Sequence, residues 1–207
     1  MVALSHIQVV STKMLHVQKF LRDGGSLETL TGKEFNLFVR RSTTSPNLVL
    51  LKYNQVESPL SNPLVQECRG LILDEADNWR VVCFPFKKFF NLGESNAAQI
   101  DWASARVQEK LDGTLCNMHF YQGTWRVSTS GSPDACGEVQ GSPQTFAKLF
   151  WDTFNGMGLQ TPIVSLELGW STRYMSFMFE LTGPENKIVV PYNETRVTLL
   201  SLRITTE

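Results

Sequence analysis

The sequence predicts an α+β fold in which antiparallel strands dominate. Three observations predict it. Short β-rich runs recur from Arg69 onward with turn residues between them, as hairpins require. One stripe of helical period interrupts these runs after Ser142. The 207 residues, 42% of them hydrophobic, suffice for one sizeable core.

The elements follow in chain order. Residues 1–41 read as helical and loop-rich, with Phe35, Leu37, Phe38 and Val39 as a candidate helical segment. "TTSPN" is a turn and "LVLLKY" a buried strand, which "ESPLSNP" ends. "GLIL", "DEADN" and "WRVVCF" form a strand, a turn and a return strand. "VQEKL" runs as a strand into Asp112-Gly113, followed by "TLCNMHFY", Gln122-Gly123 and "TWRVSTS". Ser142 and Pro143 suit the N-cap and first position of a helix whose apolar face is Phe146, Leu149, Phe150 and Phe154, with "NGMG" closing it. The strands "PIVSLEL", "MSFMFEL", "KIVVPY" and "RVTLLSLR" complete the chain. There is no internal repeat and no low-complexity segment.

Composition narrows the classes. Charged residues make up 19% and the formal net charge is -1, so binding of a polyanion needs a local patch. Cys68, Cys83, Cys116 and Cys136 have neither zinc-knuckle nor CxxC spacing, and His6, His16 and His119 lie far apart in sequence. A structural metal site is therefore not expected. The thiols read as mostly buried small side chains in a reducing, intracellular and cytoplasmic setting. No secretory signal and no membrane-spanning run is expected.

Several residues carry chemical potential. In "EKLDG", Lys110 is either a solvated lysine before a turn or a nucleophile. An ordinary lysine is protonated near neutral pH, and Glu109 and Asp112 favour that form. Arg69 beside Gly70 fits a phosphate grip, because arginine binds bidentately and glycine lets a backbone approach. Lys87 and Lys88 lie between aromatic pairs, either as solvent-facing lysines of a strand or as phosphate ligands. Glu180 falls in an apolar strand and needs a partner there. It is either a buried structural carboxylate or an acceptor for a ribose hydroxyl.

Taken in order, these pieces resemble the RNA ligases typified by the T-even phage type-one enzyme, in the covalent nucleotidyltransferase superfamily. "ECRGLILDE" is similar to the family's Arg-Gly strand and "KKFFNLGE" to its Lys-Phe-Phe-Asn segment. "EKLDG" resembles motif I, "STSGS" motif Ia, "FELTGPENKIVVPY" motif III and the residues just after it, and "RVTLLSLR" motif IIIa. The resemblance covers roughly residues 67–203.

The resemblance implies a nucleotidyltransferase core of antiparallel sheets with flanking helices. The chain would be a single, partial adenylyltransferase domain, with residues 1–66 as an N-terminal helical and strand subregion and 67–207 as the motif-bearing core. ATP and Mg²⁺ (or Mn²⁺) would be the cofactors, and RNA with 5′-phosphate and 3′-hydroxyl ends the substrate. Lys110 would take AMP from ATP. Arg69 and Lys88 would hold the β- and γ-phosphates, and Phe90 would support the nucleotide pocket. Glu109, Asp112 and Gly113 belong to the nucleotide-binding motif, Gly113 by letting the chain pass close to the nucleotide. Glu180 would bind the ribose.

Two departures stand out. The family's motif Ia has a basic residue before its glycine, where this chain has Ser130 before Gly131. Counterparts of the motif IV glutamate and the motif V lysine pair are absent before Glu207. The expectation is therefore a partial domain, incomplete at its C-terminus, with weak or no ligase activity in isolation. Exposed strand edges would favour self-association or a partner chain. Two alternatives are a degenerate module that binds nucleotide or RNA ends without catalysis, and a DNA ligase or capping-type nucleotidyltransferase.

Overall fold

A computed structural model of the chain describes residues 7–11, 14–140, 142–161 and 171–206. Among them the elements run β1 (Ile7–Ser11), α1 (His16–Arg22), α2 (Leu27–Thr31), β2 (Leu37–Arg41), β3 (Leu48–Tyr53), α3 (Pro63–Glu67), β4 (Arg69–Asp74) and β5 (Arg80–Cys83). There follow β6 (Thr114–Tyr121), β7 (Thr124–Thr129), α4 (Phe146–Gly156), β8 (Met175–Thr182) and β9 (Arg196–Thr206). The strands form two sheets, ordered β2-β3-β4-β5 and β1-β9-β8-β6-β7. All pairings are antiparallel except β1 with β9, which is parallel. The class is α+β, with few helices. The four-stranded sheet draws strands from both sides of residue 66.

Period-two alternation gives each sheet two different faces. On the four-stranded sheet, Val49, Leu51, Tyr53, Leu71 and Leu73 pack under α1, α2 and α3 with Val17, Leu21, Leu30 and Val65. The opposite face carries Leu48, Leu50 and Ile72, and Tyr121 of β6 packs against it. On the five-stranded sheet, Cys116, Met118, Phe177, Phe179 and Leu181 pack with Leu149, Phe150 and Phe154 of α4. Each such apolar side chain contributes about 1.5–3 kcal/mol when fully buried.

The sheets meet through their other faces. Tyr121 donates its hydroxyl to Asp74 at 3.0 Å, and the Phe84 amide donates to the Ser176 hydroxyl at 2.9 Å. Asp134 accepts from the Ser42 hydroxyl at 2.6 Å and the Thr43 amide at 2.7 Å. Asn117, His119, Ser128, Ser176 and Arg203 are buried in this layer, and the Arg203 guanidinium sits 4.1 Å from the Phe84 ring centroid.

Several expectations need correction. Residues 37–41 form strand β2 rather than continuing a helix, because Asn36 has a φ of 50° and Leu37 and Phe38 point to opposite faces, buried and exposed. "VQEKL" is not a strand: residues 105–110 are exposed and belong to neither sheet. "KIVVPY" is likewise a loop, with Ile188, Val189 and Val190 exposed. Helix α4 begins later than expected. Thr145, not Ser142, is its N-cap and accepts from the Lys148 amide at 3.2 Å. The expected strand at residues 162–168 lies outside the described residues.

Candidate active site

Strand register places the walls of the site. Residues 115, 117 and 119 of β6 oppose 180, 178 and 176 of β8, so Glu180 continues the inter-sheet face toward the start of β6. Motif residues Asp112 and Gly113 immediately precede β6. The Gly113 amide favours the ionised form of the Glu180 carboxylate. Gly113 is demanded by space: a β-carbon there would lie 2.2 Å from the Leu181 carbonyl oxygen.

Glu180 is half-buried, and burial pushes its carboxyl above the ordinary range. The Gly113 amide, Lys110 and Arg69 pull it back, while Asp112 adds to the rise. Thus the charges of Lys110, Arg69 and Asp112 all act on Glu180. Lys110 itself is exposed.

Asp112 organises the other side. Its Oδ2 accepts from the amides of Val189 and Val190, each at 2.7 Å, and its own amide donates to the Tyr192 hydroxyl at 3.1 Å. These amide bonds hold its carboxyl below the ordinary range. Thr114 donates to Asn186 at 3.0 Å, and buried Asn186 donates to the Leu181 carbonyl at 2.6 Å. The loop after β8 is therefore tied to the lysine motif. Sequence reasoning missed Tyr192 and Asn186, whose roles depend on contacts across about seventy to eighty positions.

Arg69 opens β4, and Gly70 follows it at a φ of 86°. Gly70 is an extra residue in the β3–β4 ladder: Leu51 pairs with Leu71, and Lys52 with Arg69. A β-carbon on Gly70 would lie 2.9 Å from the Ser130 Cα, so this bulge packs against the turn that follows β7. The Arg69 guanidinium stacks 4.9 Å from the Phe89 ring centroid, and its buried Nη1 has no hydrogen-bond partner.

Lys88 and Phe90 make a separate pair, the ammonium 5.0 Å from the ring centroid and donating to the Phe89 carbonyl at 2.6 Å. Neighbouring Lys87 instead faces the Glu67 carboxylate at 3.7 Å. Glu109 is exposed. Among the described residues, no cluster of three or more His, Cys, Asp or Glu side chains forms a ready metal cage. The orphaned Arg69 Nη1 fits a phosphate oxygen, and phosphate oxygens are themselves the main ligands of a magnesium ion on a nucleotide.

A family model described as RNA ligase matches residues 67–207. The chain belongs to the RNA ligase family typified by the T-even phage type-one enzyme. Its relatives include an RNA ligase of Rhodothermus phage RM378, 32% identical over 166 residues, covering 66% of this chain and 36% of the phage protein. A chain of Autographa californica nuclear polyhedrosis virus, provisionally named a bifunctional polynucleotide kinase/RNA ligase, is 32% identical over 191 residues. That match covers 87% of this chain and 27% of the viral one. RNA ligase 1 of Bacteriophage TS2126 is 29% identical over 176 residues, covering 80% of this chain and 41% of its own length. The chain thus spans well under half the length of these family members.

Proposed function

We propose that the chain is the nucleotidyltransferase part of an ATP-dependent RNA ligase, with Lys110 as the AMP acceptor. The observation that carries this reading is the docking of the lysine motif against β8 beside the half-buried Glu180, through the tight approach of Gly113 to Leu181 and the Asp112 bonds to the loop after β8. In this reading the neutral Lys110 amine attacks the α-phosphorus of ATP. A P–N bond forms, the bond to the β-phosphate bridging oxygen breaks, and pyrophosphate leaves while the amine proton passes to solvent. An RNA 5′-phosphate oxygen next takes the adenylyl group and regenerates the lysine. A 3′-hydroxyl then attacks that activated phosphate, forming the phosphodiester and releasing AMP.

Arg69 and Lys88 hold the β- and γ-phosphates, and Phe90 supports the nucleotide pocket. Glu180 accepts from a ribose hydroxyl. Glu109 and Asp112 flank the nucleotide, Asp112 also anchoring the loop at Val189 and Val190. Mg²⁺ (or Mn²⁺) supplies neutralisation of phosphate charge when bound. This assigns the two sheets to a nucleotidyltransferase core. Residues 67–207 are its motif-bearing part and 1–66 its N-terminal subregion.

No helix among the described residues is long and apolar enough to cross a membrane. The free buried thiols of Cys68, Cys83 and Cys116 support a reducing cytoplasmic setting. Exposed Phe89, Leu92, Trp102 and Val107 support association with a second copy or a partner chain.

A second reading, a binder of nucleotide or RNA ends without catalysis, draws on the exposure of Lys110. Incubation with labelled ATP or GTP, Mg²⁺ and a 5′-phosphorylated RNA separates the readings. RNA adenylate or sealed RNA formed with ATP, and lost in Lys110→Ala, supports the ligase. Nucleotide binding without covalent transfer favours the binder, and preference for GTP points to capping chemistry.

A further inference from the structure

We propose that Lys52 is a phosphate-binding residue of this site and supplies from β3 the positive charge that position 130 lacks. The inference rests on the nucleotide-site reading above. Lys52 is the one charged side chain in "LVLLKY". Alternation places it on the face of Leu48 and Leu50, which looks toward the five-stranded sheet, at the end of that apolar stripe.

The Gly70 bulge decides its neighbour. In an unbroken ladder Lys52 would oppose Gly70; the inserted glycine instead brings Arg69 opposite Lys52, on the same face. The same bulge presses on Ser130. The Lys52 ammonium consequently lies 3.7 Å from where a Gly131 β-carbon would be. The Gly131 carbonyl is taken by the Arg40 guanidinium at 2.8 Å, which fixes the turn beside the two cations.

Both cations keep hydrogen-bonding capacity that the protein does not use. Lys52 has no hydrogen-bond or ion-pair partner among the described residues, and the buried Arg69 Nη1 has none either. Two like charges held side by side repel unless an anion lies between them. A guanidinium and an ammonium together suit an anion with several oxygens and more than one negative charge. The ligand is therefore a phosphate group, contributed by the ATP triphosphate or by the RNA 5′-end.

Isothermal titration of the full chain with tripolyphosphate, and with a short RNA carrying a 5′-phosphate or a 5′-hydroxyl, tests the assignment. Lys52→Met keeps the stem and removes the charge, with Lys52→Gln as the alternative should that variant fail to fold. It is expected to weaken binding about tenfold with no change in thermal midpoint, while Lys52→Arg retains affinity. Adding Ser130→Lys to Lys52→Met is expected to restore it. A loss confined to tripolyphosphate assigns the locus to the nucleotide, and one confined to 5′-phosphorylated RNA assigns it to the RNA end. Equal affinity of wild type and Lys52→Met for both ligands overturns the inference and leaves the ligase reading standing. A double variant as weak as Lys52→Met overturns the shared position with residue 130. A wild-type chain that binds neither ligand, and no ATP, overturns both.

Discussion

Gly113 abuts Leu181, the residue after Glu180, so closely that a β-carbon on it would lie 2.2 Å from the Leu181 carbonyl oxygen, and this joins the end of the lysine motif to the middle of the five-stranded sheet. Burial raises the Glu180 carboxyl pKa, so its ionised form is held at a cost to the fold. With a folded pKa above the unfolded one, the native state binds the proton more tightly. Stability contributed by Glu180 is then lost as pH rises from the ordinary carboxylate range through the raised value. Glu180→Gln keeps the shape of the side chain and removes the charge. At about pH 7 its thermal midpoint should equal or exceed the wild type by up to a few degrees, while ATP affinity falls. A clear fall in midpoint with ATP affinity intact would make Glu180 a structural carboxylate.

Gly113 itself admits no side chain. Besides the Leu181 carbonyl oxygen, a β-carbon would meet Thr182 Cγ2 at 3.1 Å, so either the motif or β8 must move. Gly113→Ala should destabilise by about 1–3 kcal/mol. For a chain of this size that lowers the thermal midpoint by about 2–4 °C per kcal/mol. An unchanged melting curve would contradict this packing.

His119 gives the inter-sheet layer a distinct acid response. Burial lowers its pKa to about 4 from the ordinary 6.5, and its Nε2 has no partner. The unfolded chain therefore binds a proton that the native chain refuses between those values. Stability falls as pH drops from about 6.5 to about 4, by up to about 3 kcal/mol. His119→Gln removes this response. Urea midpoints at about pH 7 and about pH 4.5 should show the wild type losing more stability than the variant. Parallel losses would show that His119 is not the group responsible.

Much of the fold was legible because β3, β4 and β6 to β9 carry apolar alternation or β-branched runs that match their pairing. The failures have physical causes. "VQEKL" and "KIVVPY" have strand composition, yet they belong to neither sheet, and Val107 and Val189 remain in water. The short β2 was hidden by its consecutive apolar residues, since only the turn at Asn36 separates Phe35 from the strand. In the site, the motif glycines and charges were visible one by one. The place of Lys52 was not, because it depends on one bulge residue and on a turn from the other sheet.

The central claim is that Lys110 accepts AMP. Its most direct test is peptide mass mapping after incubation with ATP, Mg²⁺ and inorganic pyrophosphatase, which pulls the first step forward by removing its product. The account predicts AMP at substoichiometric level on the peptide containing Lys110, at that residue, and none in Lys110→Ala. Adenylate that maps to a residue other than Lys110, or that persists in Lys110→Ala, would contradict it.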